Sequence, residues 1–352
     1  MDWRRQIAEA IRSLDGHPAL CSTDGHPREY ESAIAEFPMS ITPYYLGLIN
    51  QSDPRDPLSR MVVPHPSELN HRPELKNDPI DEASHNPLPG LIRRYPDRAL
   101  LLVSGQCAVY CRHCTRRQLG KQNLRAISGA ALSLALDYIR EHEEIRDVIV
   151  SGGDPLLLED DEIGAILSEI RKIPHVDIIR IGTRTPVVLP MRIGQTTAKH
   201  LARFHPLYVN TQFNHPREIT PEASRAISHL VDAGIPVANQ SVLLKGVNDN
   251  PATIEALCRG LLKIRVRPYY LFLCDLWPSL EHMRTTLDAG IAILAHLRGR
   301  LSGLGIPTLV ADLPGGIGKI PLGPEYIVGR KKGATVLRSP DGQQVIYPDP
   351  KN

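Results

Sequence analysis

Cys107-Ala-Val-Tyr-Cys111-Arg-His-Cys114 is a cysteine run with C-x3-C-x2-C spacing, and it comes shortly after an apolar strand pattern, Ala99-Leu-Leu-Leu-Val103. Thiolates hold iron–sulfur clusters, and a cubane cluster has four irons to ligate. Three cysteines leave one of these irons without a protein ligand. An open metal position is where substrate chemistry takes place, unlike a closed structural site. The run therefore predicts a catalytic cluster just beyond the end of a strand.

Two other interpretations of the same run are possible. The three thiols could be unrelated buried cysteines, but half of the six cysteines in the chain fall within these eight residues. Alternatively, His113 could join the three cysteines in a tetrahedral zinc knuckle. No second C-x2-C pair follows, although paired spacing is typical of zinc sites. The cluster is the favoured interpretation.

The overall composition excludes several classes of protein. The chain has 352 residues, of which 42% are hydrophobic and 23% charged, as in globular proteins. A formal net charge of +2 argues against a surface built for nucleic acid. No apolar run approaches the roughly 20 residues that span a membrane, and the N-terminus lacks the apolar core of a signal peptide. Clustered thiols fit a reducing compartment, so we expect a cytoplasmic protein.

A strand-then-helix rhythm begins at Ala99 and predicts an α/β fold. The helix expected at 160–173 carries an apolar stripe, and the helix from Pro221 has Thr220 as N-cap. Repeated βα units with right-handed crossovers curl a parallel sheet into a partial, TIM-like (β/α)6 barrel. The predicted strands are 99–104, 147–151, 178–182, 207–211, 236–242 and 268–273, with a further strand at 306–311 after a long helix at 281–302.

The rest of the chain is expected to flank this barrel. Residues 1–98 form a helical, wrapping N-terminal region, in which 60–98 is a long ordered loop rich in Pro, His and Asn. Residues 99–324 form the barrel. Residues 325–352 are expected to form a β-meander tail with strands at 326–328, 334–337 and 344–347, because turns at Lys332-Gly333 and Asp341-Gly342 separate short β patterns.

Polar residues follow most of the predicted strands, and in the fifth strand they lie within it. In β/α barrels the active site forms at the carboxyl ends of the strands. Each single motif is weak evidence, because a bare Gly-Gly-Asp is more often a surface turn. Their common placement predicts one functional rim. The motifs after the cysteine run are Ser151-Gly152-Gly153-Asp154, Thr183-Arg184-Thr185-Pro186, Asn214-His215-Pro216, Asn239-Gln240-Ser241 and Cys274-Asp275.

The last barrel strand leads into Asp312-Leu-Pro-Gly-Gly-Ile-Gly-Lys319. This stretch lacks the spacing of a nucleotide-binding P-loop, because Ile320 follows the lysine. A lysine on a glycine-rich loop can instead react with an aldehyde cofactor. The alternative is a solvated lysine in a flexible loop.

Together these motifs resemble the lysine 2,3-aminomutase family, from about residue 40 to about residue 325. The cysteine run by itself resembles the signature of radical S-adenosylmethionine (SAM) enzymes. The resemblance implies a [4Fe–4S] cluster, SAM and pyridoxal 5′-phosphate (PLP). It also implies an isomerase that moves the amino group of L-lysine from C2 to C3 by way of a 5′-deoxyadenosyl radical.

The resemblance also implies a role for each matching residue. Cys107, Cys111 and Cys114 would hold the cluster, and Lys319 would carry PLP. Arg116 would clamp the substrate carboxylate, because its fork suits a bidentate partner. The remaining residues would serve as SAM contacts (Ser151, Gly152, Gly153 and Asp154), as PLP contacts (Arg94, Tyr95 and Arg98), as a further cofactor contact (Gln240), and as partners of the substrate's distal ammonium (Asp275 and Asp312).

Two positions depart from the family pattern. Ile227 stands where the clostridial type has a zinc cysteine, and no cysteine follows Cys274, so a structural zinc is not expected. Phe272 stands where a tyrosine is expected. We expect a homo-oligomer, a flavodoxin or ferredoxin as electron donor, and no nucleic-acid or membrane partner.

Other functions stay open at this point. The same shift could act on arginine, ornithine or glutamate, or the enzyme could supply β-lysine for modification of elongation factor P. A cluster-bearing electron carrier without turnover is the alternative of a different class.

Overall fold

The fold is described from a computed structural model that covers residues 2–21, 26–117, 127 and 129–350. One nine-stranded sheet forms the centre, with the strands in chain order from one edge to the other. Its strands are β1 (Leu91–Tyr95), β2 (Arg98–Ser104), β3 (Asp147–Gly152), β4 (Ile178–Gly182), β5 (Leu207–Thr211), β6 (Val237–Leu243), β7 (Arg267–Leu273), β8 (Thr308–Leu313) and β9 (Gly318–Leu322).

Strands β2 to β8 are parallel neighbours, whereas β1 and β9 run antiparallel at the two edges. The two edges approach each other through a side chain, because the Tyr95 hydroxyl in β1 accepts a hydrogen bond from the Lys319 N–H in β9, at 3.0 Å. The predicted α/β class and partial barrel are therefore confirmed.

Helices connect the parallel strands and pack apolar faces against them. In the helix at 160–171, Ile163, Leu167 and Ile170 are fully or almost fully buried, as their helical spacing predicts. The described helices are α1 (Trp3–Ala8), α2 (Pro27–Glu36), α3 (Pro43–Leu46), α4 (Pro57–Val62), α5 (Gly129–Glu141), α6 (Asp160–Arg171), α7 (Thr185–Val188), α8 (Gln195–Ala202), α9 (Pro221–Asp232), α10 (Pro251–Lys263) and α11 (Leu287–Leu297).

Three details of the predicted secondary structure are wrong. The stretch 60–98 is not one loop, because it ends in strand β1. Lys319 lies in β9, just after the glycine-rich turn, rather than in the predicted glycine-rich loop itself. The long helix expected at 281–302 is a 3-10 turn at Glu281–Met283 followed by α11, because the Thr286 hydroxyl caps a new helix by accepting from the Ala289 N–H.

The C-terminal residues form a separate antiparallel sheet, as expected. Its strands are β10 (Ile327–Lys331), β11 (Ala334–Arg338) and β12 (Gln344–Pro348). In the part of the chain that the structure covers, no helix combines the length and the apolar character that crossing a bilayer requires.

Candidate active site

A cavity of about 560 Å³ opens at the carboxyl ends of the parallel strands. We call it the main cavity. Each residue that the sequence singled out as a ligand, cofactor contact or substrate contact lines it, so the sequence motifs meet in space. These lining residues are Arg94, Tyr95, Arg98, Cys107, Cys111, Cys114, Arg116, Ser151, Gly152, Gly153, Asp154, Gln240, Asp275, Asp312 and Lys319.

The cysteine loop, residues 107–114, is held by the N-terminal region. The Tyr110 N–H donates to the Ser40 carbonyl at 3.1 Å, and the Arg112 N–H donates to the Met61 carbonyl at 2.8 Å. The three thiols are free and half-buried. Burial raises the pKa of Cys114 to about 11 and that of Cys107 well above its ordinary value. A bound cluster would supply positive irons that stabilise the thiolates against this effect.

A buried ion-pair network also holds the cysteine loop in place. Glu68 is fully buried and accepts from the Nη2 atoms of Arg112 and Arg117, each at 2.7 Å. Arg112 also donates to the carbonyls of Phe37 and Pro38. Sequence reasoning missed Glu68, because it lies in a short turn far from the cysteine run and nothing in its local pattern marks it.

Arg184 reaches the cysteine loop from the end of β4. Its Nη1 atom lies 2.6 Å from the Cys111 Sγ atom. Its Nη2 atom pairs with the buried Glu218 at 2.6 Å, and Glu218 also accepts from the Tyr45 hydroxyl. A cation is thus fixed against a candidate cluster ligand. The sequence placed Arg184 on the rim but gave no sign of this contact.

The Asp154 carboxylate organises the turn that carries Arg184. One oxygen accepts from the Thr183 hydroxyl at 2.6 Å and from the Leu156 N–H at 3.1 Å. The other accepts from the N–H groups of Arg184 and Thr185. Four donors satisfy the carboxylate, so within the described structure Asp154 holds the turn that follows β4 in place. Its expected contact with SAM stays a prediction.

Gly152 and Gly153 bring the end of β3 against the start of the cysteine loop. Gly152 has a positive φ of 125°, and a Cβ at Gly153 would collide with the Gln106 carbonyl. The Gly153 and Asp154 N–H groups donate to the Ser104 and Gln106 carbonyls at 2.5 and 2.7 Å. These glycines therefore allow backbone to approach backbone.

His113 is buried inside the cysteine loop. Its Nε2 atom lies 3.2 Å from the Gln212 amide nitrogen and 3.3 Å from that of Asn214. Burial, aided by the nearby Arg184 and Arg117, lowers the pKa of His113 to about 3, so the ring is neutral. A neutral ring whose Nε2 accepts from two amides is more consistent with a packing role than with the zinc knuckle.

Lys319 lies beside an acidic and basic cluster. Its Nζ atom is 2.9 Å from the Oδ2 atom of Asp312. The Oδ1 atom of the same carboxylate pairs with Arg94 at 2.9 Å. The Tyr95 ring lies close to both Lys319 and Arg98, with the Arg98 guanidinium 4.7 Å from its centre. Phe272 faces the same lysine at 5.7 Å. The expected PLP contacts thus surround Lys319.

The Arg116 guanidinium already has one carboxylate partner. Its Nε and Nη2 atoms donate to the two oxygens of Glu82 at 3.1 and 2.5 Å. This bidentate pair uses one edge of the guanidinium and leaves the Nη1 atom without a bond to Glu82. Glu82 was not singled out from the sequence.

Asp275 is the second carboxylate of the main cavity. The Thr115 hydroxyl donates to it at 2.5 Å, and no ion pair joins it to a cation within the described residues. Burial, together with the nearby Asp312, raises the pKa of Asp275 to about 6, although the Thr115 hydrogen bond opposes the shift. Asp275 is therefore a half-buried acid whose charged form a cationic partner would stabilise.

Comparison with known proteins agrees with this geometry. Residues 101–257 match the family model described as Radical SAM superfamily, and residues 294–352 match the one described as Lysine-2,3-aminomutase. The L-lysine 2,3-aminomutase of Clostridium subterminale is 45% identical over 355 residues, which cover 100% of this chain and 85% of that relative. That of Acetoanaerobium sticklandii is 43% identical over 99% of this chain and 84% of that relative. The chain belongs to the L-lysine 2,3-aminomutase family.

The radical SAM match and the family membership together define the class of enzyme. The radical SAM superfamily implies a [4Fe–4S] cluster and SAM, and the aminomutase relatives are isomerases. The family also contains a different substrate class, because the glutamate 2,3-aminomutase of Clostridioides difficile is 41% identical over 99% of this chain and 83% of that relative. Overall identity therefore does not distinguish the substrates.

Proposed function

We propose that this radical SAM aminomutase interconverts L-lysine and L-β-lysine with PLP as second cofactor. The observation that carries the proposal is Asp275, a half-buried carboxylate that has no ion-pair partner among the described residues. It lines the same cavity as the three cysteines and Lys319. A cavity with this arrangement suits a substrate that has a carboxylate at one end and an ammonium at the other.

The cofactors would be held by different elements. Cys107, Cys111 and Cys114 would hold the cluster, and Lys319 would hold PLP, with Arg94 and Arg98 supplying positive charge for its phosphate. When bound, the cofactors supply a radical that removes hydrogen from C3 and a π-system that carries the migrating nitrogen. The chain's own task is to orient the substrate and to exclude water and oxygen.

The substrate carboxylate would bind Arg116. Glu82 holds the Nε and Nη2 edge of the guanidinium and fixes its plane. The Nη1 atom is left for a second carboxylate. Because the guanidinium is planar, a plane fixed on one edge also defines the direction of approach on the other.

The distal ammonium would bind Asp275. An unpaired charge in a closed site typically costs ~3–5 kcal/mol, so an ammonium requires an anionic partner. Asp312 could contribute as well. It now faces both Arg94 and Lys319, and attachment of PLP to Lys319 would release part of its carboxylate. Glutamate would instead bring a third negative charge to this end of the cavity.

Two variants of the function remain as second candidates. Arginine or ornithine would bring the correct charge to Asp275, although arginine has a longer, planar head. The β-lysine product could also serve in the modification of elongation factor P. The expected electron donor, flavodoxin or ferredoxin, and the homo-oligomeric state belong to the same proposal.

Product analysis tests the proposal. The enzyme is reconstituted anaerobically with iron, sulfide, SAM, PLP and a chemical reductant, and then incubated with L-lysine. We expect β-lysine by chromatography against a standard, and none with Lys319→Ala. Recovery of unchanged lysine from a preparation that contains its cluster and PLP and that cleaves SAM would refute the proposed reaction.

A further inference from the structure

A second cavity of about 380 Å³ lies outside the active site. It shares no lining residue with the main cavity. Its size is within the range of small-molecule sites, about 300–1,000 Å³. It is lined by Leu20, Tyr30, Pro54, Arg55, Ser59, Arg60, Val63, Pro64, His65, His282 and Met283.

The polar lining of the second cavity is basic. Arg55, Arg60, His65 and His282 contribute to it, and no carboxylate does among the residues that the structure covers. The two guanidinium groups, those of Arg55 and Arg60, carry positive charge, and an anion placed near them would be attracted to both. The rest of the wall is largely apolar and would contact the body of an organic molecule.

Two buried nitrogen atoms of this wall have no hydrogen-bond partner among the described residues. They are the Nε atom of Arg60 and the Nδ1 atom of His282. A buried polar atom without a partner is costly, and it is frequently explained by a ligand or a water. Gly246 contributes to the arrangement, because a Cβ there would meet the Arg60 Nε atom at 2.9 Å. The Arg60 guanidinium therefore packs against Gly246, where any side chain would displace it.

His282 lies among groups of both charges. Its ring stacks on His65, with ring centres 5.6 Å apart. Burial lowers the pKa of His282 to about 4, and although the Glu68 carboxylate opposes this shift, His65, Arg60 and Arg117 add to it. The ring is therefore neutral at pH 7, and its buried Nδ1 atom can donate a hydrogen bond to an anion.

We propose that the second cavity binds a small organic anion, with a carboxylate or phosphate group at Arg60 and His282 and an apolar body against Tyr30, Val63 and Met283. The site is separate from the aminomutase reaction. Met61, the residue after Arg60, accepts from the Arg112 N–H of the cysteine loop, and the His65 N–H donates to Glu68. A ligand here would therefore stabilise the segment that supports the cysteine loop.

Calorimetry on the holoenzyme, loaded with cluster, SAM and PLP, tests this site. The probes are phenyl phosphate, benzoate and the neutral benzyl alcohol. We expect at least one anion to bind at about one molecule per chain while benzyl alcohol does not bind, and the tighter anion identifies the preferred group. Bound PLP would occupy the phosphate-binding cations of the main cavity, so the probe anions should bind in the second cavity. Lysine binds in the main cavity and should therefore not displace them.

Arg60→Gln should weaken anion binding at least tenfold and leave lysine turnover intact, because Arg60 does not line the main cavity. Arg203→Gln, which removes an exposed arginine outside both cavities, is the matched control and should bind like the parent. His282→Asn provides the same test if Arg60→Gln fails to fold. The proposal is overturned if neither anion binds, if Arg60→Gln binds as tightly as the parent, if benzyl alcohol binds equally well, or if lysine displaces the anions.

Discussion

The Nη1 atom of Arg184 lies 2.6 Å from the Sγ atom of Cys111. The contact connects two separate parts of the barrel. Cys111 belongs to the loop after β2, and Arg184 lies in the turn after β4. Glu218 and Asp154 fix the guanidinium and the backbone of Arg184, respectively. A buried cation is therefore held rigidly against one of the thiols that would ligate the cluster.

This contact predicts an effect of Arg184 on the cluster's reduction potential. Reduction adds negative charge, and hydrogen bonds to the sulfurs and nearby charge shift the potential of iron–sulfur clusters. Arg184→Gln should lower the ratio of reduced to oxidised cluster about tenfold at a fixed potential, equal to a shift of ~59 mV for one electron. Electron paramagnetic resonance during a redox titration measures it.

The control for this experiment is Arg192→Lys, at a buried arginine that pairs with Asp160 and lies outside the main cavity. Arg184→Lys should fall between the parent and Arg184→Gln, because it keeps the charge and loses the fork. An unchanged potential in a well-folded Arg184→Gln protein would show that the contact does not tune the cluster.

Replacement of any one of Cys107, Cys111 and Cys114 by alanine should abolish SAM cleavage and most iron binding. Two thiolates hold a cubane poorly and expose it to oxidation. Iron analysis and the cluster absorbance measure the loss. Cys258 is buried in α10 outside the main cavity, so Cys258→Ala is the matched control and should keep its iron. Loss of iron in the control would disprove this ligand set.

Lys319→Ala should remove covalently attached PLP and abolish turnover, because the nucleophilic amine is lost. The cluster signal in electron paramagnetic resonance should persist, since other elements hold the cysteines. Reduction with borohydride followed by peptide mapping locates the attachment. Lys245→Ala is the control and should retain PLP. A PLP-labelled peptide that contains Lys245 rather than Lys319 would reverse the assignment.

Asp275→Asn should reduce lysine turnover by roughly 10²-fold or more, taking ~1.4 kcal/mol per decade of rate. The parent's turnover should itself fall as the pH drops through about 6, where the Asp275 carboxylate takes up a proton. The pH profile of kcat/KM measures this loss. A lysine rate that is unaffected by Asp275→Asn would remove Asp275 from the substrate site.

The same substitution should stabilise the fold at pH 8. The pKa of Asp275 is higher in the folded chain than its ordinary value of 3.8, so the folded state binds the proton more tightly. Stability contributed by this group is therefore present at low pH and is lost between about pH 4 and pH 6. Thermal unfolding of the Asp275→Asn protein should show a higher Tm than the parent at pH 8 and no gain below pH 4.

Much of the fold could be predicted from the sequence. The parallel strands show apolar runs followed by turn residues, and each predicted strand of the barrel agrees with the structure to within about two residues. The edge strands β1 and β9 were missed for a physical reason. They are antiparallel, so no helix pattern accompanies them, and β9 contains Gly318 and Pro321, which are unfavourable in strands.

The site was predictable as a set of residues but not as a set of contacts. Recurring motifs at strand ends placed Lys319 and Asp275 on one rim, because the barrel brings the strand ends together. The pairs Glu82–Arg116 and Glu68–Arg112 join residues that are distant in sequence. No local pattern encodes such a pairing, since it depends on how the N-terminal segments pack over the barrel.

Comparison of L-lysine with L-glutamate as substrates of the reconstituted enzyme tests the account most directly. Initial rates of 2,3-amino migration are measured at equal concentration, in the same preparation and at pH 8. We predict that lysine is turned over roughly 10²-fold faster or more, because Asp275 pairs with its ammonium and repels the distal carboxylate of glutamate. Equal rates, or a faster rate with glutamate, would contradict the account.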